Sequence, residues 1–559
     1  MAICGVGLWL RMRGLGYGLP AVYNMDEVAI MNRAMAFGTG DLNPKNFLYP
    51  TFYFYVLFAW EGLTFLVGLA AGWWDSLAAF QRQFFVDPSP LYWSGRFLTT
   101  LCGVATIAAV SALTARLSGR VAGLVAASAM AVTPIAVMDA HYVKHDVPVT
   151  LLIVLVHVYI ARILMSGAAA RRDVWITGAL AGLAMSTHYY AVFVVLPIAA
   201  VLLTQPGVPW RDRLRDGVRA GLAATIVFLA ASPFLLPELA TAWVDITQNR
   251  EIVMSRATEQ AGSFPSMGAY IRLLNAFKVP MLLVAMWTLL CLQGGVRRRV
   301  LLLALFPVTF FFFISNTVPA TRYLNPLLPF IALLTGVAIH GFPSVNTQTG
   351  KWVNRSLMLL VPMAFGLITS VELGSFFSQA DTRTLAQRWI EAQVPSGSTV
   401  LIQPYSVPLR QSREGLVEAL RTTLGSEERA TVKFQQQLAL TPYPSPAYRT
   451  IYLGDGGLDK DKIYVSPQAF GPEASLAPLR ALGVQYIVVK RYNEADASLA
   501  SFDRALVGGG RLIATFSPYR SDADAGRRSA VAPFLHNTDG RLDDALERPG
   551  PIIEIWRID

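Results

Sequence analysis

Two adjacent carboxylates, Asp26 and Glu27, follow the first apolar segment and open a polar stretch. Charge this close to hydrocarbon is costly and is usually kept for function. Other polar groups recur between apolar runs: Asp139-Ala-His141-Tyr142-Val-Lys144-His145-Asp146, then His188-Tyr189-Tyr190, then Arg322-Tyr323. A carboxylate can take the proton of a hydroxyl nucleophile. Lysine, arginine and histidine can hold a phosphate and stabilise the charge it gains on leaving. The set suits group transfer from a phosphate leaving group. Each member also has a plainer role. Asp26 and Glu27 can cap a helix opening at Val28, and Asp146 one at Val147. Lys144 can snorkel to headgroups, Arg322 and Tyr323 can anchor at the interface, and His188 can be a satisfied donor at a turn. For the acidic pair taken alone, capping is the stronger reading. The case for chemistry rests on all of them falling on one side of a membrane. His141 and His145 would share a helix face as metal ligands can, with Asp139, Asp146 or Asp26 to complete a site, but two histidines without a tight third ligand are a weak signal.

The chain of 559 residues is 53% hydrophobic and only 15% charged, with mean hydropathy +0.43. Soluble domains carry about 25% charged residues. The deficit, with repeated apolar runs near 20 residues, predicts a polytopic α-helical membrane protein. The net charge of +10 belongs to cytoplasmic loops on this reading, so nucleic acid is not an expected partner. Cys4, Cys102 and Cys291 lie far apart in apolar segments and give neither a disulfide framework nor zinc spacing.

Basic residues set the topology, since lysine and arginine mark the cytoplasmic side. Residues 1–13 form a short apolar helix that either continues to about Tyr17 or is the end of one beginning upstream. Val28–Phe37 reads as an interfacial amphipathic helix. Gly95–Leu117, Val121–Met138 and Val147–Met165 read as spans, with Arg116, Arg120, Arg162, Arg171 and Arg172 inside. Residues 139–146 are then outside. Asp26 shares that side only if Pro50–Gly72 does not cross, so 50–72 is expected to be re-entrant or interfacial. Residues 174–203 read as a hairpin of two short helices with His188 near its outer tip. Crossings at 217–236, 279–292, 300–315, 326–342 and 356–373 bring the count to about eleven, plus the interfacial helix. The transmembrane domain is placed at 1–375, with a first outer loop at 14–94.

Residues 380–559 change character: apolar runs shorten and charges become frequent. Asp381–Ala392 and Leu476–Leu482 read as helices. Ser398–Gln403, Gln485–Lys490, Arg511–Phe516 and Ile552–Ile558 read as strands. Alternating strand and helix predicts a small extracytoplasmic α/β domain without a phosphate loop, nucleophile elbow or metal pattern.

An ordered series of short motifs resembles the lipid-linked sugar transferases of the GT-C fold, which include the dolichyl-phosphate-mannose protein mannosyltransferases and the aminoarabinose transferase of lipid A. The series runs from Arg11-Met-Arg-Gly-Leu-Gly-Tyr-Gly-Leu-Pro and Asp26-Glu27 through Asn46-Phe-Leu-Tyr-Pro50, Gly95-Arg96-Phe-Leu and His141-Tyr-Val-Lys-His-Asp146. It continues with Gly182-Leu-Ala-Met-Ser-Thr-His188-Tyr, Ser232-Pro-Phe-Leu and Arg322-Tyr323-Leu-Asn-Pro-Leu-Leu-Pro329. The resemblance implies a membrane glycosyltransferase that takes a sugar from a polyprenyl-phosphate carrier to an acceptor hydroxyl on protein, lipid or envelope glycan. It carries the acidic pair onto Asp26 and Glu27 and the second loop acid onto Asp146. Asp26 would be the base, and Glu27 would orient the acceptor or share that role. Arg322, Tyr323, Lys144, His188 and Arg96 would serve the donor phosphate, Arg96 having helix packing as an equal alternative. No cofactor is required, and a divalent metal at His141 and His145 is the alternative weighed above. A transporter or lipid flippase is the rival reading, since it too would be polytopic with buried charge.

Overall fold

Asn24 starts the helix that matters most. Its side-chain oxygen accepts the main-chain N–H of Asp26 at 3.1 Å, closing the N-terminus of a helix at Met25–Ala36. The cap is therefore Asn24, and Asp26 and Glu27 sit inside the first turn, where negative charge suits the helix dipole. In this computed structural model the described residues are 1–166, 169–258, 264–277, 281–340, 348–456, 459–471, 473–491, 497–521 and 545–558. They form two compact units.

The first unit comprises Met1–Leu15, Asn24–Val67 and Leu91–Ser375 and is helical. Its opening elements are α1 (Ala2–Met12), α2 (Met25–Ala36), α3 (Phe52–Ala70, running past the unit's edge) and α4 (Ser89–Ser118, entering at Leu91). They continue with α5 (Arg120–Ala131), α6 (Pro134–Asp139), α7 (Asp146–Ser166) and α8 (Arg171–Thr187). Gly119, at φ +89°, makes the turn between α4 and α5 that a residue with a Cβ would resist. Pro134 opens α6 in the first turn, where its missing N–H costs nothing. Buried Arg11 on α1 donates to the carbonyl oxygens of Ala131 and Met130 at 3.1 and 3.4 Å, satisfying the end of α5.

Three helices among the described residues are long and apolar enough to cross a membrane: α3, α4 and α7. Sequence expects about eleven crossings. Several of the stretches expected to cross hold shorter apolar helices instead, including α5, Tyr189–Leu203 and Leu328–Val337. The segment expected to be re-entrant or interfacial is one continuous 19-residue helix, α3, of spanning length. Nothing in Phe52–Ala70 breaks it: no proline falls inside and its two glycines are tolerated there. The expected break at His188 is present. Helix α8 ends at Thr187, and a 3₁₀ turn at Tyr189–Val194 leads into Val195–Leu203.

The second unit comprises Gly16–Tyr23, Gly68–Pro90 and Phe376–Asp559. Its six-stranded sheet holds β1 (Thr399–Ile402), β2 (Arg449–Leu453), β3 (Ile463–Val465), β4 (Tyr486–Arg491), β5 (Arg511–Phe516) and β6 (Ile552–Arg557) in the order β3-β2-β1-β4-β6-β5. β1 to β4 are parallel, and β6 runs antiparallel to both β4 and β5. Alternation along the strands makes two cores. Leu401, Ile451, Ile487 and Val489 pack with Leu479, Phe502 and Leu506 on one face. Val400, Ile402, Val488, Ile553 and Ile555 pack with Ala386, Ile390 and Tyr448 on the other. The four expected strands are present. β2 and β3 are additional: β3 has only three residues, and β2 follows a proline-rich stretch that reads as loop.

Two stretches that read as parts of one outer loop belong to this second unit. The Arg383 guanidinium grips Asp381 through two bonds of 2.8 and 2.7 Å. Asp381 accepts the Tyr17 hydroxyl at 3.1 Å, Tyr23 bonds Thr384 at 2.7 Å, and Arg383 lies 3.7 Å over the Tyr23 ring. The helix Leu77–Val86 is held as well. Arg82 donates to the Thr441 carbonyl at 2.8 Å, and Arg410 donates to that of Val86 at 3.0 Å.

Candidate active site

The two carboxylates of the acidic pair have opposite environments. Glu27 is fully buried. Arg96, on α4, reaches both its oxygens at 2.9 and 2.8 Å, and the Val143 N–H donates to it at 2.9 Å. A bidentate guanidinium contact of this kind is strong and directional. Asp26, one residue earlier, points the other way and keeps 38% of its side chain exposed. Its Oδ2 lies 3.2 Å from Lys144 Nζ and 3.8 Å from Arg322 Nη1. The helix separates the pair: successive residues are turned by about 100°, so one acid faces the bundle and the other its opening.

Arg96 therefore does not join the phosphate cations. Its guanidinium is buried, committed to Glu27 and to the Leu15 carbonyl at 2.8 Å. Lys144 and Arg322 are the cations at Asp26, and Arg322 stacks 4.9 Å over Tyr323. Asp146 opens α7 and adds its charge to the field at Lys144 and Arg322. Burial pulls the Lys144 ammonium below its ordinary value, and Asp26 pushes it back up. Asp139, hydrogen-bonded by the Asn325 amide, is pushed up to about 7 by burial, against the pull of Lys144.

A ring of aromatic and imidazole groups adjoins these charges. Tyr49 stacks on His145 at 4.5 Å, with Tyr53 and Phe54 at 4.9 and 5.0 Å. His188 meets Tyr49 edge-on at 5.3 Å and lies 3.7 Å from Tyr190. Burial, with Arg33 beside it, pulls His145 down to about 3. Burial, His145 and Arg322 hold His188 well below the usual imidazole range. Both shifts favour the neutral imidazole, which suits His188 to hydrogen bonding more than to carrying charge for a phosphate. The Nε2 of His145 and the hydroxyl of Tyr190 are buried without a hydrogen-bond partner among the described residues. Such orphans cost stability unless a ligand or water satisfies them.

The metal pair does not fit a metal. Both ring nitrogens of His141 meet main-chain oxygens, Val137 at 2.8 Å and Arg13 at 2.7 Å. With a carbonyl oxygen against each nitrogen, neither side of the ring is open to a metal. Among the described residues no group of three His, Cys, Asp or Glu side chains is arranged to hold a metal.

Sequence reading did not pick out Arg33, and it assigned no role to Tyr49, Tyr190 or Asn325. Arg33 had a signal: it follows Asp26 by seven residues, two helical turns on the same face. Tyr49, Tyr190 and Asn325 lie inside motifs already quoted, Asn46-Phe-Leu-Tyr-Pro50, His188-Tyr189-Tyr190 and Arg322-Tyr323-Leu-Asn, but no role was read for them there.

Residues 89–236 match the family model described as dolichyl-phosphate-mannose-protein mannosyltransferase. Among curated proteins no sequence matches the chain. Solved structures do. ArnT from Cupriavidus metallidurans bound to undecaprenyl phosphate superposes with TM-score 0.52 at 13% identity, covering 99% of this chain and 97% of that one. The Archaeoglobus fulgidus oligosaccharyltransferase tethered to an acceptor peptide gives 0.50 at 11%, covering 100% and 88%. The same archaeal enzyme, AglB, in complex with an inhibitory peptide and a dolichol-phosphate gives 0.50 at 10%, again covering 100% and 88%. The fold is thus that of the GT-C lipid-linked sugar transferases, helical with a C-terminal α/β sheet.

Proposed function

We propose that this chain is an integral membrane glycosyltransferase that moves one sugar from a polyprenyl monophosphate carrier to an acceptor hydroxyl on the extracytoplasmic side. The observation that carries this reading is the half-open Asp26 carboxylate set between the cations Lys144 and Arg322. The acceptor oxygen attacks the anomeric carbon, and its proton passes to Asp26. The bond from that carbon to the phosphate oxygen breaks, and the carrier leaves as a monoester with one more negative charge. Lys144 and Arg322 stabilise that added charge, with the Tyr190 hydroxyl and a neutral His188 as further donors. Tyr323 steadies Arg322. Glu27 acts through Arg96 and the Val143 N–H: it positions α2 and the 139–146 loop instead of touching substrate. Asp146 tunes the field of the two cations. A lipid-anchored phosphate leaving group calls for no nucleotide site.

The test is transfer from purified polyprenyl-phosphate sugars, with the product chemistry taken from mass spectrometry of glycans and glycolipids in cells with and without the gene. Undecaprenyl phosphate should bind the purified chain, and Arg322→Ala should weaken that binding. Unchanged affinity in Arg322→Ala would reduce Arg322 to an interface anchor and remove the phosphate site.

A further inference from the structure

Among the described residues near the site, Arg33 is a cation that the proposed transfer leaves unused. It stands two turns beyond Asp26 on α2, roughly 10 Å along the axis at 1.5 Å per residue. Seven residues return to nearly the same angle, so both face the same way. Its guanidinium is half-buried, and burial pulls it below its ordinary value. Lys144, Arg322 and Arg96 each lie within ion-pair distance of a carboxylate. Arg33 has neither ion pair nor hydrogen bond among the described residues. Its close contact is the Phe54 ring, at 5.9 Å. Asp245 is near enough to be felt, but beyond ion-pair reach, and it already accepts the Phe47 N–H at 2.7 Å. On the site side Arg33 adjoins Tyr49 and His145, whose buried Nε2 is also unsatisfied. A partly desolvated guanidinium without a counter-ion is costly and is normally paired.

We infer that Arg33 binds an anionic group, a carboxylate or a phosphate, carried by one of the two substrates. This deepens the proposed glycosyl transfer and rests on it. The Lys144–Arg322 pair would take the carrier phosphate, and Arg33 would take a second anion about two helical turns away. The flat fork of arginine suits either oxyanion. Tyr49 and His145, stacked on each other and within the field of both Arg33 and the Lys144–Arg322 pair, would offer an apolar face and one polar nitrogen to the sugar that joins the two anions.

Binding to the full chain in detergent separates the sources. In the donor arm the probes are undecaprenyl-phosphoryl glucose and undecaprenyl-phosphoryl glucuronate. In the acceptor arm they are glucosamine and glucosamine 1-phosphate, added with undecaprenyl phosphate present. In one arm the wild type should prefer the anionic probe by about tenfold or more, the scale of one charge-assisted contact. Arg33→Met keeps the side-chain bulk and should bring that preference close to one. Arg33→Lys should restore part of it. Binding of undecaprenyl phosphate alone should not change in either variant. Equal preference in wild type and Arg33→Met in both arms overturns the inference. So does a loss of undecaprenyl phosphate binding in Arg33→Met, which would put Arg33 in the carrier site. A preference that appears only in phosphatidylglycerol nanodiscs, and not in phosphatidylcholine ones, would make Arg33 a headgroup anchor and also overturns it. Failure of the general reading is distinct: undecaprenyl phosphate would then not bind, or would not need Arg322.

Discussion

At the scale of single residues, the adjacent acids should respond to mutation in different ways. Asp26→Asn keeps the shape and removes the basicity, so turnover should fall about 10²-fold or more with donor binding largely kept. Because the helix cap is Asn24, this change does not touch the cap. Full activity in Asp26→Asn, measured with a lipid-linked donor beside protein yield, would end its role as base. Glu27→Gln breaks a buried pair with Arg96 and should cost about 3–5 kcal/mol of stability. A lowered melting temperature, and not a selective loss of turnover, is the expected signature. Titration offers a further check. Asp139 has its folded value raised from 3.8 to about 7. Its contribution to stability is therefore full below pH 3.8 and is lost as pH rises through 7. His145 has its folded value lowered from 6.5 to about 3, so its contribution is full above 6.5 and is lost as pH falls toward 3. Asp139→Asn should flatten the alkaline-going loss and His145→Gln the acid-going one in melting curves across pH 4–7. Parallel curves for wild type and variants would contradict the burial of both groups.

At the scale of elements, close helix packing depends on small residues. Gly178 and Gly182, four apart on α8, face Ala220 and Ala224 of the helix Trp210–Ala231. A Cβ at either glycine would run into the main-chain oxygen of the facing alanine. Gly178→Val with Gly182→Val should therefore push the two helices apart and lower the melting temperature of the purified protein by several degrees. The matching pair Gly217→Val and Gly221→Val should do much less to the packing, since a Cβ at those sites meets open space. Equal effects of the two pairs would show that helix propensity, not contact, sets the cost. The same scale explains Arg11. It lies in an apolar helix because the end of α5 has carbonyls to satisfy, an outcome set by another element 119 and 120 residues away.

At the scale of the whole molecule, the chain enters the acidic pair from the α/β unit. Tyr17 and Tyr23 are held by Asp381, Arg383 and Thr384, and the next residue, Asn24, begins the cap of α2. Asp381→Asn should loosen residues 16–23 and lower turnover, with undecaprenyl phosphate affinity little changed. Tyr17→Phe removes one hydroxyl from this cluster and should be milder. A full-activity Asp381→Asn protein with a normal melting curve would make the cluster irrelevant to α2. Topology has its own test. Cysteines placed at Thr39 and Ser398 should both be labelled from the non-cytoplasmic side. Labelling of one from outside and the other only from inside would separate the acidic pair from the α/β domain.

Composition and periodicity by themselves determined the class: a helical membrane region, a change of character near residue 380, and four of the six strands. These are local signals, since apolar length and alternation need no partner to be read. The motif order also picked out Asp26, Lys144 and Arg322, residues far apart in the chain, and the fold brings both cations within 4 Å of the Asp26 carboxylate. Tertiary structure alone decided which partners each polar group has. Glu27 and Asp26 are the same chemistry one residue apart, and only the position of Arg96 makes one a buried strut and leaves the other open. His141 reads like a ligand until two main-chain oxygens take both its nitrogens. Residues 16–23 and 68–90 read as loop, and become part of the α/β unit through bonds spanning more than 300 residues. Side-chain partners across such distances leave no local trace in sequence, because the contact is chosen by packing and not by the neighbours of either residue.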